Sequence, residues 1–195
     1  MKIIPPEILL KAYEQGIFPM ADSREDEDVD WYSARKRGVI PLNEFHMTKN
    51  VMRIIRQGRF SVKVDQQFRE VVKACANRET TWINDLILNS YDILNLSGNA
   101  HSIEIYKEDE LVGGLYGVTQ GGAFFGESMF RKEKEADKVA LYYCHKVLKE
   151  NGFALWDTQF YTEHLGRFGC KEIEAEEYER ILEQALKIEA EFKLK

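Results

Sequence analysis

Two groups of polar residues in this chain have the types and spacing to do chemistry. Asp157 and Gln159 sit at the C-terminal end of the apolar run 153–160. In a strand, positions i and i+2 share a face, so a carboxylate and an amide stand side by side there. Such a pair either takes backbone hydrogen bonds from the following turn or orients a substrate, and the residues alone leave both readings open. Glu127 is the second group, a carboxylate between Phe125 and Met129 in a segment otherwise built for burial, with glycines at 113, 114, 117 and 126. Glycines inside strands mark bulges or the close approach of a ligand. Glu127 is therefore either a core carboxylate holding a backbone donor or the polar floor of a pocket. No Ser/His/Asp or Cys/His arrangement is recognisable, and Cys75, Cys144, Cys170 and the four histidines lack metal-ligand spacing. Reduced, mostly buried thiols and no metal are expected.

A third group is basic. Lys49, Arg53 and Arg56 recur on one side of a predicted helix, opposite the apolar Val51, Ile54 and Ile55, and Arg59 and Lys63 follow. In a chain of formal net charge −6 this is the densest positive patch. It is either a solvated face or a surface that contacts phosphates. Trp31-Tyr32 beside Arg35-Lys36-Arg37 is a smaller cluster, open to the same two readings.

The elements that must position these residues follow from periodicity. Pro5-Pro6-Glu7 opens a helix that stops at Gly16, followed by the apolar loop Gly16–Met20 and an acidic, solvated loop from Asp22 to Asp30. A helix capped by Thr48 ends at Gly58, a strand spans 59–64, and Asp65 is expected to cap a helix carrying Phe68, Val71, Val72 and Cys75. Another helix runs from Asp85 to Leu96. From His101 the pattern alternates with period two, giving three antiparallel strands whose last two join in a tight hairpin at Gln120-Gly121-Gly122. A long helix over 136–151, the strand 153–160, a short helix capped by Thr162 and a charged amphipathic helix from Glu176 complete the chain. With 195 residues and 44% hydrophobic content there is enough for one sizeable core plus a small appendage. No apolar run approaches the roughly 20 residues of a membrane span, and the N-terminus lacks the pattern of a signal peptide, so a cytoplasmic protein is expected.

Several ordered segments resemble the leucyl/phenylalanyl-tRNA–protein transferase family. They are Ala12-Tyr13-Glu-Gln-Gly16-Ile-Phe-Pro19, Thr81-Trp82-Ile83, His101-Ser102-Ile-Glu104, Leu111 to Gly117, Phe125-Gly-Glu-Ser-Met-Phe130, Lys138-Val-Ala-Leu141, Asp157-Thr-Gln159 and His164-Leu165. Met20 stands where some members have tryptophan, Trp31-Tyr32-Ser33-Ala34 replaces Trp-Trp-Ser-Pro, and Thr158 replaces a frequent cysteine. The resemblance implies an α+β chain with a small N-terminal domain, residues 1–40, and a GNAT-like catalytic domain, residues 41–195. That domain has a central, mostly antiparallel sheet flanked by helices.

The implied reaction moves leucine or phenylalanine, with methionine as a further donor, from aminoacyl-tRNA to the α-amino group of proteins beginning with lysine or arginine. This marks them for N-degron proteolysis. It needs no cofactor and no covalent enzyme intermediate, and the chain is expected to be a monomer. By resemblance, Asp157 and Gln159 orient the amine and the ester, with Asp157 assisting proton removal, and Glu127 holds a polar group of the aminoacyl-adenosine end. Trp82, Leu115, Phe124 and Met129 form the side-chain pocket, while Tyr91, Met20 and Trp31 join the substrate-binding residues. Lys49, Arg53, Arg56 and Arg59 are expected to hold tRNA phosphates. The alternatives are a GNAT-type acyl-CoA transferase, for which the charged, glycine-free segment Arg131–Asp137 is poorly suited, and a non-catalytic binder of tRNA ends or protein N-termini.

Overall fold

The period-two segments do become strands. In the computed structural model, which describes residues 2–195, β5 (Ala100–Lys107), β6 (Glu110–Gln120) and β7 (Ala123–Arg131) form an antiparallel meander. The turn between β6 and β7 is Gly121-Gly122, and Gly121 takes φ +56, which a side chain would disfavour. Around the meander lies a seven-stranded sheet in the order β4-β5-β6-β7-β8-β3-β9, adding β4 (Ser61–Val64), β8 (Leu155–Gln159), β3 (Lys36–Val39) and β9 (Lys171–Glu174). Only the β7–β8 pairing is parallel. A second, two-stranded sheet pairs β1 (Phe18–Met20) with β2 (Asp30–Tyr32).

Both faces of the large sheet are covered, which is why β6 is apolar at consecutive positions rather than at alternate ones. On one face α1 (Pro6–Tyr13), α3 (Phe68–Ala76), α4 (Asp85–Leu96) and α7 (Ala175–Ala185) pack on Tyr116, Val118 and Phe125. On the other, α2 (Lys49–Arg56) and α5 (Ala136–Glu150) pack on Ile103, Ile105, Leu115 and Phe124. A further short helix, α6 (Glu163–Gly166), is capped as expected, with the Thr162 hydroxyl accepting from Leu165 N at 3.1 Å.

The structure corrects several expectations. Asp65 does not cap α3: it has φ +54 and its carboxylate binds Ser102 N and His101 Nδ1, both at 2.7 Å. The α3 end is served from β5, where buried Glu104 accepts from Gln67 N at 2.6 Å and from the hydroxyls of Ser102 and Tyr106. The apolar loop around Phe18 is strand β1. Arg37, grouped by sequence with the surface cations Arg35 and Lys36, is 1% exposed. Its strand β3 belongs to the large sheet. Among the described residues, no helix is long and apolar enough to cross a membrane.

Candidate active site

The site is made by the one parallel junction in the sheet. β7 and β8 pair only from Ala123–Phe125 to Leu155–Asp157, so beyond Phe125 the strands are no longer joined. At the same point β7 bulges against β6: Tyr116 faces Ser128, Gly117 faces Gly126, and Glu127 is the additional residue. The alternation of β7 is thereby reset, which presents Glu127 to the gap. The result is a cavity of about 310 Å³ with apolar walls from Met20, Trp82, Leu115, Phe124 and Met129 and polar groups from Glu127, Gln159, Ser128 and Tyr116.

Glu127 Oε1 accepts from Tyr13 Oη at 2.7 Å and from Gln159 Nε2 at 3.1 Å. Tyr13 is in turn hydrogen-bonded to the Tyr91 hydroxyl, and burial pushes both phenols well above their ordinary value, so they remain neutral donors. Burial also raises the Glu127 carboxyl from 4.5 to about 7; nearby Asp157 adds to the rise, while the hydrogen bond from Tyr13 opposes it. A carboxyl poised near neutrality in a cleft is suited to taking and giving a proton. Tyr116 Oη, buried at the cavity wall, has no protein partner. Leaving such a hydroxyl unpaired is unfavourable by about 1–3 kcal/mol, which a polar group of a bound ligand would relieve.

Behind this layer lies a second one. Asp157 is fully buried and accepts from Arg37 Nε at 2.9 and 3.0 Å, from Arg37 Nη2 at 2.7 Å and from Tyr178 Oη at 2.6 Å. The remaining Arg37 nitrogen, Nη1, donates to Gly16 O at 2.7 Å, and the guanidinium lies 4.6 Å from the Tyr178 ring centroid. Asp157 also accepts from Gln159 N at 2.7 Å. Gln159 itself has φ +56 inside a three-residue turn closed by Phe160 N to Thr158 O at 2.6 Å, a strained backbone for a non-glycine residue. This kink ends the strand alternation, so the i, i+2 rule no longer orients the Gln159 side chain. The amide turns to Glu127, whereas Asp157 lies outside the cavity lining and fixes the backbone on which Gln159 rides.

The structure thus brings together Glu127, Gln159, Met20, Trp82, Leu115, Phe124 and Met129. Tyr91 lies outside the cavity lining and reaches Glu127 through Tyr13. Trp31 is 42% exposed on β2, outside the lining. Lys49, Arg53 and Arg56 project from the outer face of α2, opposite buried Val51 and Ile54. Arg59 is ion-paired with Glu133 at 3.1 Å, which also holds Lys107 at 3.0 Å. Sequence reasoning did not identify Tyr13, Arg37, Tyr116 and Tyr178 as members of the site. Only the family-like segments that contain Tyr13 and Tyr116 offered any signal.

Comparison with known proteins identifies the family. Residues 39–183 match a family model described as leucyl/phenylalanyl-tRNA protein transferase, and residues 3–35 match the model of the same family's N-terminal domain. A leucyl/phenylalanyl-tRNA--protein transferase of Ruegeria pomeroyi is 49% identical over 189 residues, covering 97% of this chain and 90% of that one. One of Rhizorhabdus wittichii is 48% identical over 194 residues, covering 97% and 78%. Among solved structures, FemX superposes with a TM-score of 0.56 at 13% identity, over 87% of this chain and 66% of FemX, which shows a shared fold. With both domain models matched in order and close relatives aligned over nearly its whole length, the chain belongs to the leucyl/phenylalanyl-tRNA protein transferase family.

Proposed function

We propose that this transferase moves leucine or phenylalanine from the terminal adenosine of its tRNA to the α-amino group of acceptor proteins beginning with lysine or arginine, marking them for N-degron proteolysis. The observation that carries the reading is Glu127, near neutrality and hydrogen-bonded to Gln159, at the floor of an apolar cavity. The amine nitrogen attacks the ester carbonyl carbon, the new C–N bond forms as the bond to the ribose oxygen breaks, and one proton passes from amine to ribose oxygen. Glu127, its carboxyl raised by burial to about 7, is suited to accept that proton and return it to the leaving oxygen. Gln159 and the unpartnered Tyr116 hydroxyl offer donors for the carbonyl as its oxygen gains charge.

The apolar walls suit leucine and phenylalanine, and holding ester and amine together supplies much of the rate. Asp157 acts here as a positioning residue through the Gln159 backbone. We further propose a cytoplasmic, monomeric enzyme, with a division near residue 40 between the small N-terminal part and the catalytic part. The test is incubation with radiolabelled leucyl-tRNA or phenylalanyl-tRNA and a peptide beginning with arginine. Label should appear on the peptide N-terminus, and no transfer from either donor would overturn the reading.

A further inference from the structure

Beside the ester cavity, and sharing Met129 with it, lies a second cavity of about 510 Å³ bounded by Thr48, Arg131, Asp137, Lys138, His164 and Arg167. Among the described residues, only two buried side-chain polar atoms lack a partner, Tyr116 Oη and Asp137 Oδ1, and their residues line the first cavity and this one respectively. Asp137 is 7% exposed, and its other oxygen, Oδ2, is held by Arg131 at 3.4 Å. A carboxylate oxygen can only accept, so Oδ1 calls for a hydroxyl or N–H from outside the protein. The cations around it call for an anion: Arg167 is exposed at the rim, and Arg131 retains donors beyond its contact with Asp137. A hydroxyl donor and an anion a few ångströms apart make up one ribose phosphate of RNA; DNA lacks the hydroxyl. Thr48, the cap of α2, stands on the wall of this cavity, so it opens toward the helix that carries Lys49, Arg53 and Arg56.

We infer that this cavity is the subsite for the nucleotide preceding the terminal adenosine, with its 2′-hydroxyl on Asp137 Oδ1 and the phosphate that links it to the adenosine on Arg131 and Arg167. The inference rests on the transferase reading. It extends that reading into a track in which the ester lies over Glu127, the next nucleotide against Asp137, and the strand then passes toward α2.

The test compares three phenylalanyl esters as donors to an arginine-initiated peptide: adenosine alone, the ribodinucleotide cytidylyl-adenosine, and the same dinucleotide with a 2′-deoxycytidine. For the wild type, kcat/KM with the ribodinucleotide should exceed that with adenosine by about tenfold, and the deoxy compound should lose most of that gain. In Asp137→Ala and in Arg167→Ala the ribodinucleotide-to-adenosine ratio should fall toward one. Because each ratio is taken within one preparation, a loss of folded protein cancels. Transfer from all three esters with a ratio near one in the wild type, or a ratio unchanged in both variants, overturns the subsite alone. A wild type that transfers from none of them overturns the transferase reading and the subsite with it.

Discussion

Glu127 was conspicuous in the sequence because a carboxylate among aromatics and glycines has few structural uses, and its setting makes a pH prediction possible. Its folded value, about 7, lies above the unfolded 4.5, so its contribution to stability is fully present below pH 4.5 and is lost as pH rises through 7. The difference corresponds to roughly 3 kcal/mol at most. Glu127→Gln should therefore melt closer to, or above, the wild type at pH 8 than at pH 5. In activity the sign is opposite, because the ionised carboxylate is the working form. Wild-type kcat/KM should rise through pH 7 and again near the amine value of about 8, whereas Glu127→Gln should keep only the upper step and lose about 10²-fold or more in turnover. A variant that retained the lower step would show that another group is the base.

Arg37 and Tyr178 were not legible, because the carboxylate they share lies 120 and 21 positions away and no local pattern marks such a pairing. Asp157→Asn leaves the Arg37 charge buried without a counterion and should destabilise the fold by about 3–5 kcal/mol. The paired change Arg37→Met with Asp157→Leu should recover much of the stability while turnover stays low. Recovery of turnover with stability would show that the network does not position Gln159.

Among the elements, the meander and its hairpin could be read from the sequence because alternation and a Gly-Gly turn are local properties. The strands β1, β3 and β9 are three or four residues long and exist only through distant partners, so nothing in their own residues distinguishes them from loops. Asp65 was misassigned for a related reason: its side chain had a better partner across the sheet than along the chain. The β7 bulge carries its own prediction. A Cβ on Gly117 would collide with the carbonyl oxygen of Phe125 and lie 2.5 Å from Phe124 Cζ. Gly117→Ala should cost on the order of 1–3 kcal/mol and raise KM by pushing Phe124 into the cavity, as thermal melts and kinetics together would show.

Helix α2 carries another prediction. If its outer face holds phosphates, Arg53→Ala and Arg56→Ala should each reduce the slope of log affinity against log salt by about 0.7–0.9. Arg59→Ala should change it less, because Glu133 already occupies that guanidinium. Unchanged slopes in a filter-binding titration would make the α2 face an ordinary solvated surface.

At the scale of the molecule, the catalytic layer is not confined to one part of the chain. Tyr13 and Gly16 O come from the first matched segment, Arg37 from the short stretch between the two family models, and Tyr178 from the last helix, α7. A chain beginning at Lys36 should lose transfer altogether and melt earlier, since Glu127 would lose its phenol donor and Arg37 its carbonyl partner; activity comparable to the full chain would contradict this. The closure of Arg37, Asp157 and Tyr178 also has a consequence in time. The clasp joins residues 37, 157 and 178, so it closes only once β3, β8 and α7 have come together. Until α7 docks, the buried ion pair lacks its phenol and the Gln159 turn lacks its full support. Because its members lie far apart in the sequence, the support of the Gln159 turn cannot assemble ahead of the tertiary fold.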